Sequence, residues 1–320
     1  MEQRLLDASL LPPTLWDSAS QTLILPSSLS QAYAALIDRY NLRSLAASRS
    51  SDDPPEGGIS QERTDQHLAQ AFSGSVARAQ LAFLDPKSDI VATSNAYLGT
   101  LAGNRVTIVD APCGAGAAAF SFLSSVAELR AREVLPREPL DVTLIGAELS
   151  DPARKYAEEI FLGIQPFLEE QGIFVKVDFV SWNVTNALSN TQLIKKMVVS
   201  SSTNPNQLLI VANFNSFLVR SGKRGEAEPQ LTELFRHASG PKSVALWIEP
   251  YMNRAISPGG ILPWLRQKIS TAWREFAREK SPIGEPIPMS SALFRLPLNS
   301  SETSWARLAV IPIDLRYPNE

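Results

Sequence analysis

The sequence is poor in the residues that build metal centres and covalent cross-links: one cysteine, Cys113, and two histidines, His67 and His237, in 320 residues. A single cysteine excludes an internal disulfide and any cysteine-cluster site. Two histidines far apart in the chain leave too few ligands for a zinc or iron centre, so no metal is expected. No apolar run approaches the roughly 20 residues of a membrane span. The opening MEQRLLDASLLPP turns acidic at once and has no apolar stretch of signal-peptide length. A cytoplasmic protein without membrane contact is expected. Basic excess is missing too: 30 Lys and Arg stand against 33 Asp and Glu, a net charge of −3. A chain devoted to nucleic acid ordinarily carries a basic surplus, so global charge gives that class no support.

What is present suits an α/β protein. The 44% hydrophobic content can fill a large core, and the length fits one α/β domain with an added piece. Residues 1–104 read as a helical N-terminal region that caps the substrate side. Tyr33, Leu36, Ile37, Tyr40 and Leu45 fall near helical spacing in one stretch from Ser30 to about Ser48, as do Leu68, Phe72, Val76 and Leu81 between Gln61 and Phe83. A short helix is expected over Ser94–Leu101. Between the first two, SSDDPPEGGIS reads as a loop.

From residue 105 to 320 the pattern changes. Apolar runs ending at Asp110, Glu148, Trp182, Asn213 and Pro250 alternate with amphipathic stretches, the last spanning Leu262–Lys280. Such alternation implies a mostly parallel sheet with helices on both faces. ALFRLPL and WARLAVIPI then follow each other without a helix, which predicts an antiparallel hairpin at the sheet edge. Seven strands are expected.

Ligands of doubly wound sheets bind beyond the carboxyl ends of the strands. The first strand here, VTIVD, ends in Asp110, and Pro112-Cys113-Gly114-Ala115-Gly116 leads into the next helix. Gly114 and Gly116 permit close backbone approach. Gly114-Ala-Gly116-Ala-Ala-Ala119 also fits the dinucleotide pattern G-x-G-x-x-A. Against that reading, a carboxylate at Asp110 would repel a pyrophosphate, and dinucleotide domains need no terminal hairpin.

VTIVDAPCGAGAA resembles the first motif of class I S-adenosylmethionine-dependent methyltransferases, with Pro112 where the family has its first glycine. The resemblance runs from Arg105 to Ile313 and implies a Rossmann-like fold with S-adenosylmethionine as cofactor and S-adenosylhomocysteine as product. It further implies that Asp110, Cys113, Gly114 and Gly116 form the cofactor loop. Glu148 would hold the ribose hydroxyls, Asn183 and Val184 would lie near the adenine, and Asn213 would face the methyl group. Weaker similarities point to chemotaxis-receptor and ribosome-associated methyltransferase-like families. The first lacks support because Ala117, Ala118 and Ala119 stand where acidic residues follow the glycine. The second lacks it because the cysteine cluster is missing.

Asn213 and Glu249 are the candidate catalytic residues, Glu249 as a general base, with Asn215 and Tyr251 nearby. Cys113 reads as a small turn filler, Trp182 as core, and His237 as a capping residue at a helix C-terminus. The basic loop Arg220–Arg224 can guide an anionic substrate or stand simply solvated. The acceptor is not legible. Acidic composition favours a small molecule or a protein over RNA, and the oligomeric state is open. A non-catalytic methyltransferase-like scaffold is the alternative.

Overall fold

The computed structural model describes residues 3–48, 58–202, 206–238, 242–251 and 287–314. The expected helix Leu262–Lys280 lies outside them. In chain order the strands are β1 (Trp16–Asp17), β2 (Thr22–Leu23), β3 (Arg105–Asp110), β4 (Leu140–Glu148), β5 (Ile173–Ser181), β6 (Asn206–Ala212), β7 (Lys242–Pro250), β8 (Met289–Leu296) and β9 (Asn299–Asp314). They form one mixed sheet in the order β1-β2-β8-β9-β7-β6-β3-β4-β5. Strands β3 to β7 are mutually parallel, while β9 runs antiparallel between β7 and β8.

The expected antiparallel hairpin is present, but not at the sheet edge: β2 and β1 lie beyond β8, and the sheet has nine strands among the described residues rather than seven. The two additional strands come from the region read as purely helical. Each is two residues long, too short to show a period of two. β2 is held by pairing parallel to β8 and by complete burial of Leu23.

Alternation explains why β3, β4, β6 and β7 read as continuous apolar runs. Val106, Ile108, Leu208, Ile210, Leu246 and Ile248 enter the core on one face; Val109, Ile145, Leu209, Val211, Ala245 and Trp247 enter that on the other. A parallel sheet covered by helices on both sides demands this composition. β5, at the open edge, alternates between partly buried and exposed positions instead.

The first face carries α1 (Ser27–Arg39), α3 (Gln61–Leu84), α4 (Val91–Thr100), α5 (Ala117–Ala131) and α6 (Asp151–Glu170), with the short α2 (Arg43–Ala47) beside α3. The second carries α7 (Ala187–Ser201) and α9 (Arg224–His237), after the short α8 (Asn215–Arg220). Ser60 caps α3 and Ser150 caps α6, each accepting a backbone N–H from the first turn. Phe83 of α3, Tyr97 of α4 and Phe122 of α5 pack with ring centroids 4.8–5.6 Å apart. Such contacts contribute roughly 0.5–1.5 kcal/mol each beyond area burial. The Ser121 hydroxyl also donates to the Val76 carbonyl. α3 thus packs as a wall of the core. No helix among the described residues is long and apolar enough to cross a membrane.

Candidate functional site

The chain leaves β3 towards β4 and β5 on one side, then returns to place β6 and β7 on the other. The direction reverses between β3 and β6, and beyond the carboxyl ends of such a pair lies the crevice of an open α/β sheet. A cavity of about 180 Å³ occupies this place. Its walls include Asp110, Cys113, Gly114, Glu148, Asn183, Val184 and Asn213, seven of the residues singled out above, together with Trp182. The eighth, Gly116, shapes the loop from behind: its φ is +84°, and a Cβ there would stand 2.1 Å from a Phe120 ring carbon. Gly114 also has positive φ, +53°, yet a Cβ on it would meet nothing within 4 Å. One glycine is demanded by packing; the other leaves open space at the crevice wall.

Gly116 is the N-cap of α5 and has no side chain to satisfy the helix amides. Asp110 does so from the strand end, its Oδ2 accepting the Ala119 N–H at 3.1 Å. Its Oδ1 is buried and has no hydrogen-bond partner. Burial raises the Asp110 carboxyl to about 7, against the lowering effect of the Ala119 bond. Glu148 ties the loop to β4: Oε2 accepts from Gly114 N–H at 3.0 Å, Oε1 from Ser150 N–H at 2.8 Å. Burial raises its pKa too. An ionised carboxylate has about four lone-pair sites, so each Glu148 oxygen retains acceptor capacity. The Cys113 thiol is raised well above its ordinary value, first by burial and then by Asp110 and Glu148. It stays protonated, as a turn filler should.

Asn183 makes an Asx turn, its Oδ1 accepting from the N–H and hydroxyl of Thr185. Trp182 serves the core and the crevice at once, with its Nε1 on Asn190 Oδ1 at 3.2 Å. Asn213 holds a left-handed backbone, φ +57°, and its Oδ1 accepts from Arg78 Nε at 3.0 Å.

Glu249 is placed differently from the expectation. It is 1% exposed, and its Oε1 accepts from Phe214 N–H, Asn215 N–H and Trp247 Nε1 at 2.7–3.0 Å. It does not border the crevice or the larger chamber described below. Burial raises it to about 7. Its evident work is to hold the turn that presents Asn213. Tyr251 is 40% exposed, and Asn215 is buried with an unpartnered Oδ1. His237 is the last residue of α9, exposed, with its Nε2 3.5 Å from Glu233 Oε2 one turn back.

Sequence reasoning set the N-terminal helices on the substrate side but assigned no residue of α3 to the crevice. The α3 Thr64 hydroxyl bonds the Ser150 hydroxyl at 3.0 Å on the β4 side, and Arg78 reaches Asn213 on the β6 side. The helix therefore spans the crevice, placing His67 and Ser75 in its wall. Burial, then the charge of Arg78, lowers His67 to about 4, so its imidazole is neutral at pH 7. A signal existed: Thr64, His67, Ser75 and Arg78 recur at helical spacing between the apolar positions Leu68, Phe72 and Val76.

The crevice shares His67, Ser75, Asn213 and Phe217 with a chamber of about 1250 Å³. Among the described residues no group of three or more His, Cys, Asp or Glu is arranged to hold a metal.

No family model and no curated protein matches the chain. A solved structure from Listeria monocytogenes, provisionally described as a class I S-adenosylmethionine-dependent methyltransferase, is similar over 92% of this chain and 88% of its own, at 13% identity and TM-score 0.37. A likeness of that size assigns no family. The case rests on the site itself.

Proposed function

We propose that the crevice binds S-adenosylmethionine and that the protein is a methyltransferase acting on an acceptor held in the adjoining chamber. The observation that carries this reading is the charge of the crevice. Among the described residues, its ionisable wall residues other than His67 and Cys113 are two acids, Asp110 and Glu148. A cofactor that carries an ammonium and a sulfonium suits such a wall, and a pyrophosphate does not. In dinucleotide folds the pyrophosphate sits on the N-terminus of the first helix. Here Asp110 already occupies the Ala119 amide at that place. The strand order argues the same way. In the dinucleotide order 3-2-1-4-5-6 the sixth strand adjoins the fifth, whereas β9 intervenes antiparallel between β7 and β8.

In this reading Asp110 Oδ1 accepts from the cofactor ammonium, and the open space at Gly114 admits its amino-acid end. Glu148 takes the ribose hydroxyls, while Asn183, Val184 and Trp182 flank the adenine. When bound, the cofactor supplies an electrophilic methyl group. The chain's part is to position the acceptor in line and exclude water, which supplies much of the rate in group transfers of this kind. Asn213, fixed by Arg78 on one side and by the Glu249 turn on the other, orients the acceptor. His67 is neutral and can accept a hydrogen bond from it. Glu249 serves as a positioning residue.

Ultraviolet crosslinking of methyl-tritiated S-adenosylmethionine tests the proposal. Label should map to the peptides around residues 110–118 and 148–153 and be displaced by S-adenosylhomocysteine but not by NAD. Label elsewhere, or equal displacement by NAD, would contradict it.

A further inference from the structure

The two joined cavities carry opposite charge. The crevice wall has Asp110 and Glu148; the charged residues around the larger chamber, among those described, are Arg43, Arg63, Arg78, Arg220 and Glu302. Four arginines against one acid is a marked local bias in a chain whose net charge is −3. Arg43 is partly offset by a bidentate contact with Asp38. Arg78 stands in another situation. It is part-buried at the junction of the cavities, its Nε on Asn213 Oδ1 at 3.0 Å and its Nη2 on Ser75 Oγ at 3.2 Å. Both partners are neutral. Among the described residues no carboxylate pairs with it directly, and Glu249 acts on it only at a distance. Guanidinium offers five donors in a planar fork, and among the described residues none accepts a hydrogen bond from Nη1. A Cβ on Gly74 would lie 3.5 Å from that Nη1, so the glycine leaves room beside the fork.

Burying a cation without a counter-charge is costly. A chamber that retains such a cation next to its reacting end is built for an anion. Among hydroxyl and amide groups such as Gln70, Ser73 and Asn299, the wall also presents exposed apolar surface: Phe217 is 38% exposed, Trp305 52% and Ile59 66%.

We infer that the acceptor is an apolar small molecule bearing one anionic group, a carboxylate or a phosphate, which Arg78 binds through its free fork edge while the apolar body lies against Phe217 and Trp305. The inference rests on the proposed function for the word acceptor, and on the chamber alone for the anion. Bidentate anion recognition by arginine is directional and charge-assisted. Arg78 therefore also sets which end of the acceptor approaches Asn213.

The test is a ligand-observed NMR titration of the full chain with benzoate, phenyl phosphate and the neutral benzamide, with and without saturating S-adenosylhomocysteine. One of the two anions should bind at least about tenfold more tightly than benzamide, and which one does so separates carboxylate from phosphate. Arg78→Gln should remove that preference, and Arg78→Lys should keep part of it, which guards against a variant that merely unfolds. Equal binding of benzamide, or a preference that survives in Arg78→Gln, would overturn the inference while leaving cofactor binding untouched. Anion preference without any response to S-adenosylhomocysteine would uphold the anion site and sink the methyltransferase reading. Arg78 could instead serve the cofactor's own carboxylate. In that case Arg78→Gln would lose S-adenosylhomocysteine but keep methylthioadenosine, which lacks the amino-acid end, and the inference would fall.

Discussion

Replacing Asp110 by asparagine should make the protein more tolerant of high pH and a poorer cofactor binder. In the unfolded chain this carboxyl ionises near its ordinary 3.8; in the folded protein burial delays ionisation to about 7. Between those values the folded state holds the extra proton. Its contribution to stability is therefore full below about pH 4 and is lost as pH rises through 7. A delay of roughly three pK units at about 1.4 kcal/mol each amounts to ~4 kcal/mol by pH 8. Asp110 is 1% exposed, so solvent screening reduces this little. Asparagine can keep the Ala119 bond through its oxygen. Its NH2 replaces an Oδ1 that has no partner, at an offset of roughly 1–3 kcal/mol that is the same at every pH. The pH-dependent part is thus the quantity to read. Urea unfolding of both proteins from pH 4 to 8 should show the variant gaining up to ~4 kcal/mol on the wild type across the range. Loss of the charge-assisted bond should weaken S-adenosylhomocysteine by about 1.5–3 kcal/mol. A stability difference that does not change with pH, together with unaltered affinity, would refute the reasoning.

Other substitutions separate packing from binding. Gly116→Ala combines a left-handed backbone with a clash against Phe120 and should cost about 2–5 kcal/mol of stability by denaturant titration. Gly114→Ala meets no atom, so it should cost only about 1 kcal/mol of strain yet measurably weaken S-adenosylhomocysteine. Glu148→Ala should cost on the order of 2–4 kcal/mol in calorimetric S-adenosylhomocysteine binding; an analogue lacking both ribose hydroxyls should show far less difference between variant and wild type. Cofactor binding should also release protons near pH 6–7, because an ammonium beside Asp110 favours its ionised form. Titrations in buffers of different ionisation enthalpy would show this, and a binding heat independent of buffer at pH 6.5 would contradict it.

The elements with long apolar runs were legible in the sequence because burial on both faces leaves a composition that few other structures need. β3, β4, β6 and β7 fall within a residue or so of their expected ends. So does the Asp110–Gly116 loop, whose two glycines have positive φ. β1 and β2 were illegible for want of length. The stretch Ser30–Ser48, read as one helix, is broken at Asn41, whose φ is +57°. Glu249 was read as a base because it ends a strand. Three donors converging on one of its oxygens are a tertiary fact that no local pattern carries. Arg78 and His67 were hidden for the opposite reason: their polar stripe was visible, but only the packing of α3 across the sheet shows what it faces.

Calorimetric titration of the folded protein with S-adenosylmethionine, S-adenosylhomocysteine and NAD in parallel tests the central claim most directly. Micromolar binding of the first two with no heat from NAD is the predicted result. NAD binding, or silence from both adenosyl compounds, would contradict it.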